Sequence, residues 1–124
     1  MAMGRRNTGF TQEQKDIMLR RAGERCELCN SPRPAHFHHR KPRRMGGVHG
    51  DEFDIVNSVP NGLVLCLACH GQVESNREWG KHRGLLLKMN QHPAEEPVHL
   101  PRYGGWVTLG EKGEVQWMIS SKQV

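Results

Sequence analysis

The chain has 124 residues, 35% apolar and 25% charged, with a net charge of +5; that length bounds it to one domain with a thin core, the kind a metal or disulfides often reinforce. No apolar run approaches the roughly 20 residues of a transmembrane helix, which rules against an integral membrane protein, and residues 1–10 lack the apolar stretch of a secretory signal. The expectation is a cytoplasmic chain, whose four cysteines serve as metal ligands rather than disulfides.

In chain order, residues 1–10 form a small, polar, basic arm expected to lack fixed structure. Thr11 opens a helix, with Gln14 where a capping box wants Glu or Gln, and Gly23 stops it. Its arginines are expected to face solvent or phosphate. Residues 24–35 read as a tight turn and residues 36–41 as a short strand ended by Pro42. A glycine-containing loop follows over residues 43–54. Residues 61–65 are mostly apolar and lead into Cys66, and a second helix is predicted from near Cys69 through Trp79. Residues 80–101 are broken by glycine and prolines, with one helical turn expected at residues 85–89. Two β-rich runs, residues 106–109 and 115–119, flank Glu111-Lys112-Gly113-Glu114 and predict a hairpin.

The cysteines form two pairs, Cys26-x2-Cys29 and Cys66-x2-Cys69. Each pair sets two thiolates on one side of a tight turn, and two such knuckles close a four-sulfur shell around a structural zinc with no open position. The alternatives are a thioredoxin-like redox pair, which lacks its βαβ setting, and unligated core cysteines.

Three of the eight histidines stand out by position. His38 and His39 adjoin on the predicted strand, so their side chains point to opposite faces. His70 directly follows Cys69, and the knuckle fixes its backbone. His36, His49, His82, His92 and His99 carry no comparable pattern. Charge is uneven as well: residues 1–50 hold eleven Lys and Arg against four Asp and Glu, a net of +7, and residues 51–124 hold seven against nine, a net of −2. The basic half suits a polyanion such as nucleic acid, or simply a solvated surface.

The order Cys26-x2-Cys29, His38-His39, Pro42, Gly46-Gly47, Asn61, Cys66-x2-Cys69-His70 resembles the HNH endonuclease family, in its zinc-ribbon, four-cysteine, phage-type branch. The strings that carry the resemblance are FHHRKPRRMGG and NGLVLCLACH, with RAGERCELC ahead of them. It covers about residues 16–90. It implies an α+β fold: a small ββα-metal (His-Me finger) domain over residues 11–90 with a structural four-cysteine zinc and flanking helices. Residues 91–124 then form a C-terminal extension with the β-hairpin.

The activity implied is metal-dependent hydrolysis of DNA phosphodiester bonds with low sequence specificity. His39 matches the family's general base, for which an ordinary imidazole pKa of about 6.5 is suited. His38 and His70 match the ligands of a catalytic divalent ion. Asn61 matches the asparagine that braces the loop carrying the base. Many members carry Asp where this chain has His38; two nitrogen ligands lead to the expectation that Mn²⁺, Co²⁺ or Ni²⁺ serves better than Mg²⁺. Arg40, Lys41, Arg43 and Arg44 directly follow the base and are expected to contact phosphate. The implied partner is DNA, with the DNA-packaging proteins of a phage beside it, for a monomer or weak dimer. The alternative is a non-catalytic zinc-ribbon module that binds DNA or protein, in which the histidines only pad the ribbon.

Overall fold

The computed structural model describes residues 8–43 and 50–118, a small α+β arrangement of helices and two antiparallel sheets. No helix among these residues is long and apolar enough to cross a membrane.

Helix α1 spans Gln12–Ala22. Thr11 Oγ1 accepts from the Gln14 amide at 3.1 Å and Gln14 Oε1 from the Thr11 amide at 2.8 Å, so two of the helix's orphan donors are satisfied reciprocally. Gly23 ends the helix at φ +61°, a left-handed conformation that favours glycine. The apolar face of α1, centred on Met18 and Ala22, packs on Phe37, Val59 and Val64. Phe10, which the sequence assigns to a structureless arm, is instead buried in this same cluster. The rest of that arm, residues 1–7, lies outside the described residues.

Strand β1 (Pro34–His39) pairs antiparallel with β2 (Gly62–Cys66), with His38 opposite Leu63 and His39 opposite Gly62. Every residue of β2 is buried, in keeping with its continuous apolar run. A Cβ at Gly62 would run into Met18 Sδ and the Phe10 ring, so glycine lets α1 lie close on the strand. Helix α2 (Gly50–Val56) occupies part of the stretch expected to be loop, and its acidic first turn, Asp51 and Glu52, suits a helix N-terminus. The Gly46-Gly47 pair lies outside the described residues. Helix α3 (Leu67–Ser75) starts directly at the end of β2, and α4 (Arg77–His82) follows after a break at Asn76, where one helix was predicted.

The predicted hairpin is present as β4 (Gly105–Leu109) and β5 (Val115–Trp117), and β3 (Val98–Leu100) adds a third strand beside β4. This sheet is not peripheral. Val98, Leu100, Val107 and Leu109 share one core cluster with Leu63, Leu65, Val73 and the four-cysteine region. The boundary expected at residue 90 therefore crosses a continuous core. Residues 85–89 form no helical turn; Leu85, Leu86 and Leu87 are buried as irregular backbone.

Arg21 corrects another expectation, since it faces neither solvent nor phosphate. Its side chain is fully buried and forms a bidentate pair with Glu27 at 2.7 and 2.8 Å. Burial works against its charge, but the Glu27 carboxylate outweighs it and keeps the guanidinium above its ordinary value. Glu27 also accepts from the Val64 amide at 2.8 Å and lies 2.7 Å from the Tyr103 hydroxyl. The residue between Cys26 and Leu28 is thus tied to α1, β2 and the C-terminal segment together.

Candidate metal centres

The four cysteines come together at one end of the β1–β2 pair, with sulfurs within 4.8 Å of one another, an arrangement consistent with a zinc site. The Cys29 Sγ to Cys66 Sγ separation is 3.7 Å, close to the roughly 3.8 Å that a tetrahedral shell with Zn–S bonds of about 2.3 Å requires. In both knuckles an amide points at sulfur: Cys29 N–H at Cys26 Sγ, 3.5 Å, and Cys69 N–H at Cys66 Sγ, 3.4 Å. Burial raises the Cys69 thiol well above its ordinary value, and its sulfur neighbours raise it further. A dication among these sulfurs would favour the thiolate form that binds it. The donor set fits zinc.

A second cluster lies on one face of β1. Alternation puts His36 and His38 on the same side of the strand, toward α3. There they meet His70: the ring centroids lie 4.7 Å from His36 and 5.3 Å from His38. His38, His70 and Glu74 bring one ligand atom each within 4.8 Å of the others. His70 and Glu74 stand four residues apart on α3, so one helical face carries both. Their Nε2 and Oε2 atoms are 3.9 Å apart, beyond a hydrogen bond and within the span of two donors across one cation.

Proton positions follow from the partners. His38 Nε2 lies 2.8 Å from the Leu85 carbonyl, which can only accept, so the proton is on Nε2 and the Nδ1 lone pair is left for a ligand. Burial, reinforced by His70, lowers the His38 pKa to about 4, and the ring is neutral as ligation demands. His36 Nδ1 is 2.8 Å from His70 Nδ1. If His70 donates there, its Nε2 is bare on the side of Glu74. Neither His36 nor Glu74 was singled out in the sequence. The signals were available: His36 is two residues before His38 on a strand, and Glu74 is one helical turn after His70.

His39 points to the other face. Its ring stacks on Phe10 at 4.3 Å with 12° between planes, and Nε2 lies 3.0 Å from Asn57 Oδ1. Asn57 Nδ2 donates to the Phe53 carbonyl at 3.1 Å, which fixes the amide so that Oδ1 accepts from His39. The lone pair of His39 is therefore on Nδ1. Burial lowers its pKa to about 4, below the ordinary imidazole value on which the sequence reading relied. The Asn61 side chain hydrogen-bonds to backbone. Its Oδ1 accepts from the Lys41 amide at 2.7 Å, and its Nδ2 donates to the Lys41 and Val56 carbonyls at 3.0 and 2.7 Å, which pins the chain just after β1 to the end of α2.

The basic run after His39 does not form one phosphate-facing surface. Arg40 is wholly buried, and its guanidinium donates to the carbonyls of Pro60, Gly84, Pro93, Glu96 and Pro97 at 2.9–3.3 Å. Burial lowers its pKa to about 9, which leaves it cationic at neutral pH. Arg40 is a strut and has no donor left for DNA. Lys41 is buried too and pairs with Glu52 at 3.0 Å. Arg43 is exposed, and Arg44 lies outside the described residues.

Comparison with models of protein families, with curated proteins and with solved structures returns no match for this chain. The family resemblance therefore rests on the motif residues of the sequence.

Proposed function

We propose that the chain is an HNH-type endonuclease with a ββα-metal core, hydrolysing DNA phosphodiester bonds. One observation carries the reading: strand β1 sends His38 to a face where His70 and Glu74 complete a three-donor set, and sends His39, with its proton fixed on Nε2, to the other. A structural ribbon has no need of a three-donor set beside its four-cysteine shell.

His38, His70 and Glu74 are the residues that would hold a divalent cation, which would supply Lewis-acid stabilisation of charge on a phosphoryl oxygen. His39 accepts a proton from water at Nδ1, the atom that the Asn57 bond leaves without hydrogen. Its lowered pKa keeps it unprotonated at neutral pH. Asn61 holds the backbone of Lys41 and so the end of the strand that carries His39. Arg43 and Arg44 are the members of the basic run proposed to meet phosphate. The zinc shell holds the junction of β2 and α3, from which His70 projects. With Glu74 in the donor set, the ligands are two nitrogens and one oxygen rather than two nitrogens alone. That set suits Mn²⁺ and lessens the handicap of Mg²⁺.

The test is nicking of supercoiled plasmid across Mg²⁺, Mn²⁺, Co²⁺ and Ni²⁺, with wild type and His39→Ala. Wild type cleaves, and His39→Ala loses about 100-fold in rate while keeping its zinc and its affinity for DNA. A wild type that binds DNA yet cleaves with none of the four ions overturns the reading in favour of a non-catalytic zinc-ribbon module.

A further inference from the structure

The C-terminal sheet carries a cleft that neither metal cluster uses. It holds about 660 Å³, and its lining includes Trp106, Trp117, Met118, His99, Gly104 and Gly105. Proteins rarely leave two indoles and a thioether beside one another in solvent, yet here Trp106 is 41% exposed and Trp117 68%. These rings are held in place. Trp117 Nε1–H donates to the Tyr103 carbonyl at 2.5 Å, and the Met118 amide donates to the Trp106 carbonyl at 3.1 Å. Trp106 meets the His99 ring edge-on at 5.2 Å. Exposed aromatic faces that are already oriented lose little freedom when something stacks on them.

The wall is not purely apolar. Arg83 Nη1 lies 2.9 Å from His99 Nδ1. A guanidinium can only donate, so Nδ1 accepts and neutral His99 carries its proton on Nε2 as a donor. Arg83 also stacks on Trp79, 5.7 Å from the ring centroid, which fixes a cation beside this wall. Glu96, next to the lining residue Pro97, has its carboxylate engaged by Gln91 Nε2 at 3.2 Å.

We propose that this cleft stacks an unpaired nucleobase of a DNA strand, with Arg83 as the cation for the adjoining phosphate. The inference rests on the nuclease reading above and narrows its substrate to DNA with unpaired bases, because a paired base has both faces covered by its neighbours. An aliphatic anchor from a protein partner would use the indoles and leave the His99 donor and the Arg83 charge unanswered. A nucleotide offers π faces, ring acceptors and an anion together.

The experiment is a tryptophan-fluorescence titration of zinc-loaded protein with short oligo-dT, an abasic strand of equal length and a blunt duplex, without added divalent ion so that cleavage does not enter. The expected result is quenching by oligo-dT, with affinity about ten-fold above that for the abasic strand, which carries the same phosphates. Trp117→Ala and Trp106→Ala should each lose that preference and keep the salt-sensitive residue of binding. Zinc content and circular dichroism report whether each variant folds, and the second variant serves if the first does not. Equal wild-type affinity for the two strands overturns the proposal, as does a preference that survives in both variants. Quenching that follows protein concentration alone also overturns it, by assigning the cleft to a second copy of the chain. Plasmid cleavage with no oligo-dT preference sinks this inference alone. An oligo-dT preference without cleavage upholds the base site and sinks only the nuclease reading.

Discussion

The two candidate metal clusters hang from one stretch of chain, residues 66–70, and are built on opposite plans. Cys66 and Cys69 turn one way, into a shell of four identical soft donors braced by knuckle amides. His70 turns the other way, into a set of three unlike donors that grades from buried His38 to exposed Glu74. A closed shell holds its ion against everything, so the ion's binding energy goes into the fold. A set open on one side keeps coordination positions for water and substrate. On the proposed reading the first cluster serves folding and the second chemistry, and that contrast can be attacked at either end.

The largest effect is expected at the shell. Cys69→Ser, or exhaustive removal of zinc, should abolish the cooperative thermal transition and take the histidine cluster with it, since α3 begins inside the knuckle. Wild type should carry about one zinc per chain, held by four sulfurs against mild chelators. Elemental analysis and a melting curve check both points. A quadruple Cys→Ser variant that melts like wild type would remove the shell from its folding role.

How much of this was legible in the sequence depends on the range of each interaction. The capping box of α1 and the two knuckles are local patterns, and they appear where the sequence puts them. The split of His38 and His39 follows from strand alternation alone. Arg40 is different. It lies in a basic run that reads as surface, and its burial depends on carbonyls of residues 84–97, brought over it by the packing of Leu85 to Leu87. No pattern near Arg40 encodes that. Strand β3 escaped for a related reason: three residues between Pro97 and Pro101 become a strand only when β4 is there to pair with them.

Arg40 offers a way to separate the clusters. It donates to the Gly84 carbonyl at 2.9 Å, and the next carbonyl, Leu85, is the one that fixes the His38 proton. Arg40→Met leaves several buried carbonyls without donors, and stability in urea should fall by about 3 kcal/mol or more. Arg43→Ala, at an exposed position, should stay within about 0.5 kcal/mol. Arg40→Met protein that is still folded should keep its full zinc while binding Mn²⁺ more weakly. Equal weakening of both metals would mean that the two clusters are one cooperative unit, and the contrast would dissolve.

The smallest and sharpest effects concern the open cluster itself, read by calorimetric titration of zinc-loaded protein with divalent ions. His36→Phe keeps the bulk of the ring but removes the nitrogen that meets His70 Nδ1 at 2.8 Å. If His70 donates to His36, losing that nitrogen weakens the preference for the tautomer that leaves Nε2 without hydrogen. Affinity should drop by about ten-fold, as is usual for a lost outer partner, and by a similar factor for every ion. Glu74→Gln should behave differently, because what it removes is a hard oxygen and a negative charge. Mg²⁺ depends on oxygen donors and gains little from imidazole, so its binding should suffer most, Mn²⁺ less and Co²⁺ least. A uniform loss across ions in one variant beside a graded loss in the other would separate a group that orients a ligand from a group that is one. Should Glu74→Gln leave every affinity unchanged, the carboxylate belongs to Arg77, 3.2 Å away, and the open cluster is a pair of histidines.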